Sequence, residues 1–265
     1  MTEFTILMPC LNEASSLKTC IDEAKAGIAA LGLQAEILIA DNGSTDNSAQ
    51  IAAANGARVV AVSRKGYGAA ILGGIRSAQG KYIILGDADG SYDFGNLSPF
   101  VNALRNGASL VVGNRFLGGI QPGAMPLSHR WGVPLLSALA RWRFKANVRD
   151  FHCGLRAFDR ETALRLGLQC PGMEFSTEII ARFTQSGASV TEVPTILRND
   201  LRKGPSHLRT LRDGWRHLRF ILSPLSTEKL IRRNHHEKTI NRTCRSVAGT
   251  DHDMQSGRAR AGRRC

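Results

Sequence analysis

Short, uninterrupted apolar runs alternating with helical patterns constrain the first half of this chain more than any other feature. "FTILMP", "AEILIA", "RVVAV", "KYIILG" and "ASLVVG" each read as a strand without a polar face, and such a strand needs cover on both sides. Between the first two lies "EASSLKTCIDEAKAGIAAL", with Leu17, Ile21, Ala24 and Ile28 at helical spacing. The alternation predicts an α/β fold: a mostly parallel sheet flanked by helices. The second half is less regular. "VPLLSALARWRF" predicts a helix starting after Pro134, "RETALRLGL" and "EFSTEIIARFTQSG" predict two more, and "SVTEVP" predicts a returning strand.

In sheets of this kind ligands collect beyond the C-terminal strand ends, and the polar clusters of this chain fall there. Asn12 and Glu13 follow the first strand, "DNGSTD" (41–46) the second and "DADG" (87–90) the fourth. Asp87 and Asp89, on a loop after a buried strand, can share one hard cation, Mg²⁺ or Mn²⁺, that keeps part of its shell for phosphate oxygens. A solvated turn is the plainer alternative, and Asp93 reads as a turn residue. Asp41, at a strand end, suits a nucleobase or a ribose hydroxyl, while Thr45 or Asp46 reads as a helix cap. "GYGAAILGG" (66–74) has the wrong glycine spacing for a dinucleotide fingerprint and does not follow the first strand, which excludes a dehydrogenase.

The net charge of +13 is unevenly placed: residues 198–265 hold 17 Lys/Arg against 6 Asp/Glu, residues 1–197 hold 18 against 16. In "HLRTLRDGWRHLRFIL", Leu208, Leu211, Trp215, Leu218 and Leu222 form one helical stripe beside Arg209, Arg212, Arg216 and Arg219. That pattern over 206–226 suits the headgroup region of an anionic membrane surface, or an ordinary helix packed on the domain. No recognition motif supports nucleic acid as a partner. Residues 227–265 lack Phe, Trp and Tyr and are expected to be a disordered basic tail. The break after "ILSPLS" reads as a truncated or frame-shifted end in place of a membrane anchor. Six cysteines without a CxxC pair, no signal-like N-terminus and no long apolar run are what a protein of the reduced cytoplasm is expected to show.

Seven landmarks in order carry a resemblance: "PCLNE", "DNGSTD", "KGYGAA", "DAD", "GNRF", "DFHCGLRAF" and "GMEFSTE". Over residues 4 to 222 the chain resembles the family 2 glycosyltransferases of GT-A fold, and within them the dolichyl-phosphate mannose and polyprenyl-phosphate glucose synthases. The resemblance implies a catalytic domain over 1–205 and a nucleotide-sugar pocket lined by Pro9, Glu13, Asp41, Gly68, Asp87 and Ala88. It implies Asp87 and Asp89 at a divalent ion and the donor diphosphate, and Arg115 and Arg202 at the acceptor phosphate. Asp150 would face the reacting sugar or orient Arg156, or serve only its loop. Asn42 stands where many relatives carry a second acid, Ser91 where some carry Gln, and Arg130 lies near a second acceptor arginine of relatives.

The implied reaction is metal-dependent, inverting transfer of a hexose from UDP-glucose or GDP-mannose to a polyprenyl phosphate by a peripheral protein at the cytosolic membrane face. A saccharide hydroxyl as acceptor would need a general base. Glu174 and Glu178, four apart on a helix, are candidates for it, or else surface carboxylates. A phosphate acceptor is already ionised and needs cations instead. A third alternative is a degenerate protein that binds donor without turnover.

Overall fold

The computed structural model describes residues 2–202 and 210–224. The five apolar runs form β1 (Phe4–Cys10), β2 (Ala35–Asp41), β3 (Arg58–Ala61), β4 (Tyr82–Leu85) and β5 (Leu110–Asn114). With β6 (Arg156–Asp159) and β7 (Val190–Pro194) they make a seven-stranded sheet in the order β3-β2-β1-β4-β6-β5-β7. Only β6 runs against its neighbours, β4 and β5. This is the mostly parallel α/β sheet expected, in the GT-A arrangement. Every residue of β1 and β5 is buried, as strands covered on both faces require. In α1 (Leu17–Ala30) the buried residues Leu17, Cys20, Ile21 and Ala24 form the stripe that packs inward.

Two features differ from the sequence reading. The helix expected after Pro134 is α6, spanning Leu127–Phe144 with Pro134 inside it. Proline removes one helical hydrogen bond, but Pro134 and Arg130, whose carbonyl loses that partner, are both exposed, so water can serve it. The second is β6, only four residues long and centred on the "RAF" of a loop motif. Arg156 lies buried there because its guanidinium donates to the carbonyls of Phe151, Cys153 and Ser176, at 2.7 Å each.

The remaining helices include α3 (Tyr67–Ser77), α8 (Phe175–Gln185) and α9 (Thr210–Leu222). The basic helix expected over 206–226 is α9, but its inward face is not the leucine stripe. Asp213, His217 and Ile221 are buried, while Trp215 and Leu222 are exposed. His217 is accommodated by Thr177 of α8, at 2.9 Å, and by the ring of His152, edge-on at 4.5 Å between centroids. The chain up to Ser223 forms one compact unit that includes α9. Leu208, the basic tail of 227–265, Cys244 and Cys265 lie outside the described residues. The four described cysteines, Cys10, Cys20, Cys153 and Cys170, are free.

Candidate active site

The loops after β1, β2 and β4 are tied together before any ligand is considered. Asn12, in the left-handed region at φ 57°, accepts the backbone N–H of Thr45 through its side-chain oxygen (2.7 Å). The N–H of Glu13 is held by Ser48 Oγ (2.9 Å) and that of Ala14 by Asp46 (3.1 Å). Asn42 donates to the carbonyls of Val62 and Arg64 and accepts the N–H of Gly66. An acid there lacks the two donors, which gives this asparagine a physical reason.

A cavity of about 400 Å³ opens on these loops. Its lining brings together the acids Glu13, Asp87 and Asp89 with the cations Lys65, Arg202, Arg212 and Arg216, and includes Tyr67 and Met173. Tyr67, at the start of α3, donates its hydroxyl to Asp87 Oδ1 at 3.0 Å. The other oxygen of Asp87 occupies the space a Cβ on Gly154 would fill, so a side chain there would push into the carboxylate. Asp89 accepts the N–H and hydroxyl of Ser91 through Oδ1, leaving Oδ2 to Arg202 at 2.7 Å.

Arg202 reaches this point because its chain segment runs along the "DADGS" loop. Arg198 N–H binds Ser91 O and Leu201 N–H binds Asp89 O (2.9 and 2.8 Å). Gly90, at φ +83°, leaves room for Leu201 where a side chain would stand. The guanidinium also contacts Glu13 at 3.4 Å and Asp200 at 3.2 Å. Even so, burial pushes the Glu13 carboxyl up to about 7, with Asp89 adding to the rise. Burial and Asp89 likewise push Asp87 up to about 6. Burial, more than the neighbouring charges, makes these carboxyls costly to ionise. Among the described residues no three His, Cys, Asp or Glu side chains form a metal cage. Two carboxylates on an open cavity instead fit a hard cation completed by ligand oxygens.

Several sequence-derived site residues lie elsewhere. Arg115 and Asp150 form a buried two-pronged pair (2.7 and 2.8 Å) away from the cavity lining. Asp150 therefore holds Arg115 and the N–H of His152, not Arg156. Asp41 spends its carboxylate on the N–H groups of Gly43 and Ser44. Gly68 is buried beneath Cys170 and Phe175, and Arg130 is exposed on α6. Glu174 and Glu178 are buried, not surface carboxylates. Glu178 accepts the N–H groups of Gln169 and Cys170, and Glu174 pairs with Arg216 at 2.7 Å. Asp93 accepts the N–H of Gly95 and pairs with Arg198, as a turn residue would. Sequence reasoning missed Lys65 and Tyr67, although both stand in "KGYGAA", and it placed Arg212 and Arg216 outside the site.

The model of glycosyl transferase family 2 matches residues 5–167, most of the sheet and both acidic loops. The chain belongs to this family. Among its family 2 relatives, the low-salt glycan biosynthesis hexosyltransferase Agl6 of Haloferax volcanii is 38% identical over 220 residues. The match covers 82% of this chain and 52% of Agl6, so the chain spans about half the length of that relative. A dolichyl-phosphate hexose transferase of the same organism is 28% identical, over 73% of this chain and 84% of that protein. In fold, this family 2 chain is similar to glucosyl-3-phosphoglycerate synthase from Mycobacterium tuberculosis, crystallised with Mn²⁺, UDP-glucose and phosphoglyceric acid. The TM-score is 0.63 at 24% identity, over 85% of this chain and 81% of that one.

Proposed function

We propose that this chain transfers a hexose, with inversion, from UDP-glucose or GDP-mannose to a polyprenyl phosphate, using Mg²⁺ or Mn²⁺ at the cytosolic face of a membrane. The observation that carries the reading is one cavity lined both by the acid pair Asp87 and Asp89 and by the cations Lys65, Arg202, Arg212 and Arg216. The similar fold crystallised with Mn²⁺ and UDP-glucose supports the donor and the ion, and the dolichyl-phosphate hexose transferase supports the acceptor.

Pro9, Glu13 and Ala88 line the donor's side of the cavity, while Asp41 and Gly68 shape the loops beneath it. Asp87 and Asp89 would hold the cation. What it supplies when bound is neutralisation of the diphosphate that leaves the anomeric carbon. The arginines hold the acceptor phosphate close to that second anion and aim one of its oxygens at the far face of the sugar. No proton has to be removed from an ionised phosphate. The placement of the buried glutamates agrees: Glu178 is spent on two backbone N–H groups and Glu174 on Arg216, so neither is poised as the base a hydroxyl acceptor needs. Arg115 and Asp150 act here as a strut between the end of β5 and the "DFHCG" loop. No helix among the described residues is long and apolar enough to cross a membrane; contact with the lipid is assigned to surface helices, α9 with its exposed Trp215 among them.

The test is transfer of radiolabelled sugar from each donor to detergent-solubilised polyprenyl phosphate, with and without Mg²⁺ or Mn²⁺. Metal-dependent label in the lipid fraction, absent from Asp89→Ala, is expected for one donor. Donor hydrolysis or donor binding without lipid product would overturn the proposal.

A further inference from the structure

Among the described residues the most exposed apolar surface is on α6, a helix that contributes nothing to the cavity lining. Its inward face is narrow: Ser137, Ala140 and Phe144 are buried, with the Phe144 ring against Phe220 of α9. On the opposite face Trp131 is 79% exposed, Trp142 77%, Leu127 74% and Leu135 73%. With exposed Ala138 these four side chains fall within about 80° of arc at 3.6 residues per turn. A soluble helix ordinarily turns one apolar stripe inward and a polar face out; α6 keeps a small inward face and shows its large apolar residues to the outside. The chain's three tryptophans are all exposed, Trp215 by 65%.

The charge beside the stripe selects the partner. Residues 127–149 contain four arginines and one lysine and no Asp or Glu. At helical spacing Arg130 and Arg141 border one side of the stripe and Arg143 the other. A stripe of Trp and Leu edged by arginines matches a bilayer interface, where indole rings sit at headgroup depth and guanidinium groups meet lipid phosphates. A second copy of this chain would bring like charges together along the same edge.

We infer that α6 is a membrane-docking helix that lies flat on an anionic lipid surface through Leu127, Trp131, Leu135 and Trp142, with Arg130, Arg141 and Arg143 on the headgroups. The inference deepens the lipid-acceptor reading by assigning the main lipid contact to a helix that the basic-segment pattern does not mark. Its geometry stands without that reading.

The full chain is mixed with phosphatidylcholine vesicles, with or without phosphatidylglycerol, in the absence of donor and acceptor. Co-sedimentation and tryptophan emission are read together. Trp215→Phe confines the emission to α6. Binding to the anionic vesicles with a blue shift in Trp215→Phe is expected. Binding falls roughly tenfold or more in Trp131→Ser/Trp142→Ser and in the fully surface variant Arg130→Glu/Arg141→Glu, whose circular dichroism should match the parent. Unshifted emission, or undiminished binding by both variants, overturns the inference. So does concentration-dependent self-association that the tryptophan variant abolishes while vesicles are ignored, which would give the surface to a second copy. Because neither substrate is present, vesicle binding without sugar transfer would sink the proposed reaction and leave the surface standing; transfer without vesicle binding would do the reverse.

Discussion

Arg202 occupies the place where the proposed cation would sit, and that makes a prediction with two opposite signs. Its guanidinium lies 2.7 Å from Asp89, 3.4 Å from Glu13 and 3.2 Å from Asp200, with the side chain 13% exposed. At an effective dielectric near 20, two unit charges about 4 Å apart attract by about 4 kcal/mol. A divalent ion that takes Asp89 must displace or share this contact. Without substrate, Arg202 has no phosphate to turn to, and only part of the loss is recovered by the carboxylates that remain. A residual penalty of about 1.4 to 2.8 kcal/mol corresponds to ten- to a hundredfold in affinity. Arg202→Gln should therefore bind Mn²⁺ more tightly than the parent by that factor, read as loss of the free-ion signal in electron paramagnetic resonance without donor. The same variant should transfer sugar more slowly, because the displaced guanidinium is a cation proposed to meet the acceptor phosphate. Arg202→Lys, with a charge but no fork, should fall between. Mn²⁺ binding by Arg202→Gln equal to or weaker than the parent's, in a variant of unchanged circular dichroism, would refute the idea that Arg202 competes with the ion.

His217 makes a pH prediction. Burial lowers it to about 4, with Arg156 and Arg216 acting in the same direction and Glu174 and Asp213 opposing; His152, against its ring, is lowered too. The unfolded chain takes the proton near pH 6.5 and the fold resists it until about pH 4, so this stability is complete above about pH 6.5 and is lost as pH falls through that window. The loss is on the order of 3 kcal/mol. The urea midpoint should drop more steeply in the parent than in His217→Gln, and equal slopes would contradict the assignment. Asp150→Ala leaves the Arg115 guanidinium buried without its carboxylate, a change that costs about 3–5 kcal/mol. Its melting temperature should fall sharply while the folded fraction keeps its KM for donor; a donor KM defect at unchanged melting temperature would return Asp150 to the catalytic centre.

What could be read from the sequence was what local spacing controls. All five apolar runs became strands, four of them largely buried and β3 left half-exposed at the sheet edge, and acids at strand ends had to meet at one edge of the sheet, so Glu13, Asp87 and Asp89 were legible before any coordinates. Charged partners far apart in sequence were not. Arg115 finds Asp150 across 35 residues and Arg202 finds Asp89 across 113, and no periodicity encodes either pairing. Alone, each arginine in a landmark looks equally ready for a phosphate; the fold pairs Arg115 with buried Asp150 and leaves Arg202 in the cavity. The same limit left the facing of α9 open. Its leucine stripe suited either lipid or the domain; Thr177 and His152 give His217 a home, so Asp213, His217 and Ile221 turn inward and Trp215 turns out. That rotation brings Arg212 and Arg216 to the cavity wall. A helix expected either to meet lipid or to pack on the domain thus adds cations where the acceptor phosphate is proposed to sit, while the largest exposed tryptophan stripe lies on its neighbour α6. In the proposed reaction, one pair of packed helices links the lipid surface to the phosphate end of the site.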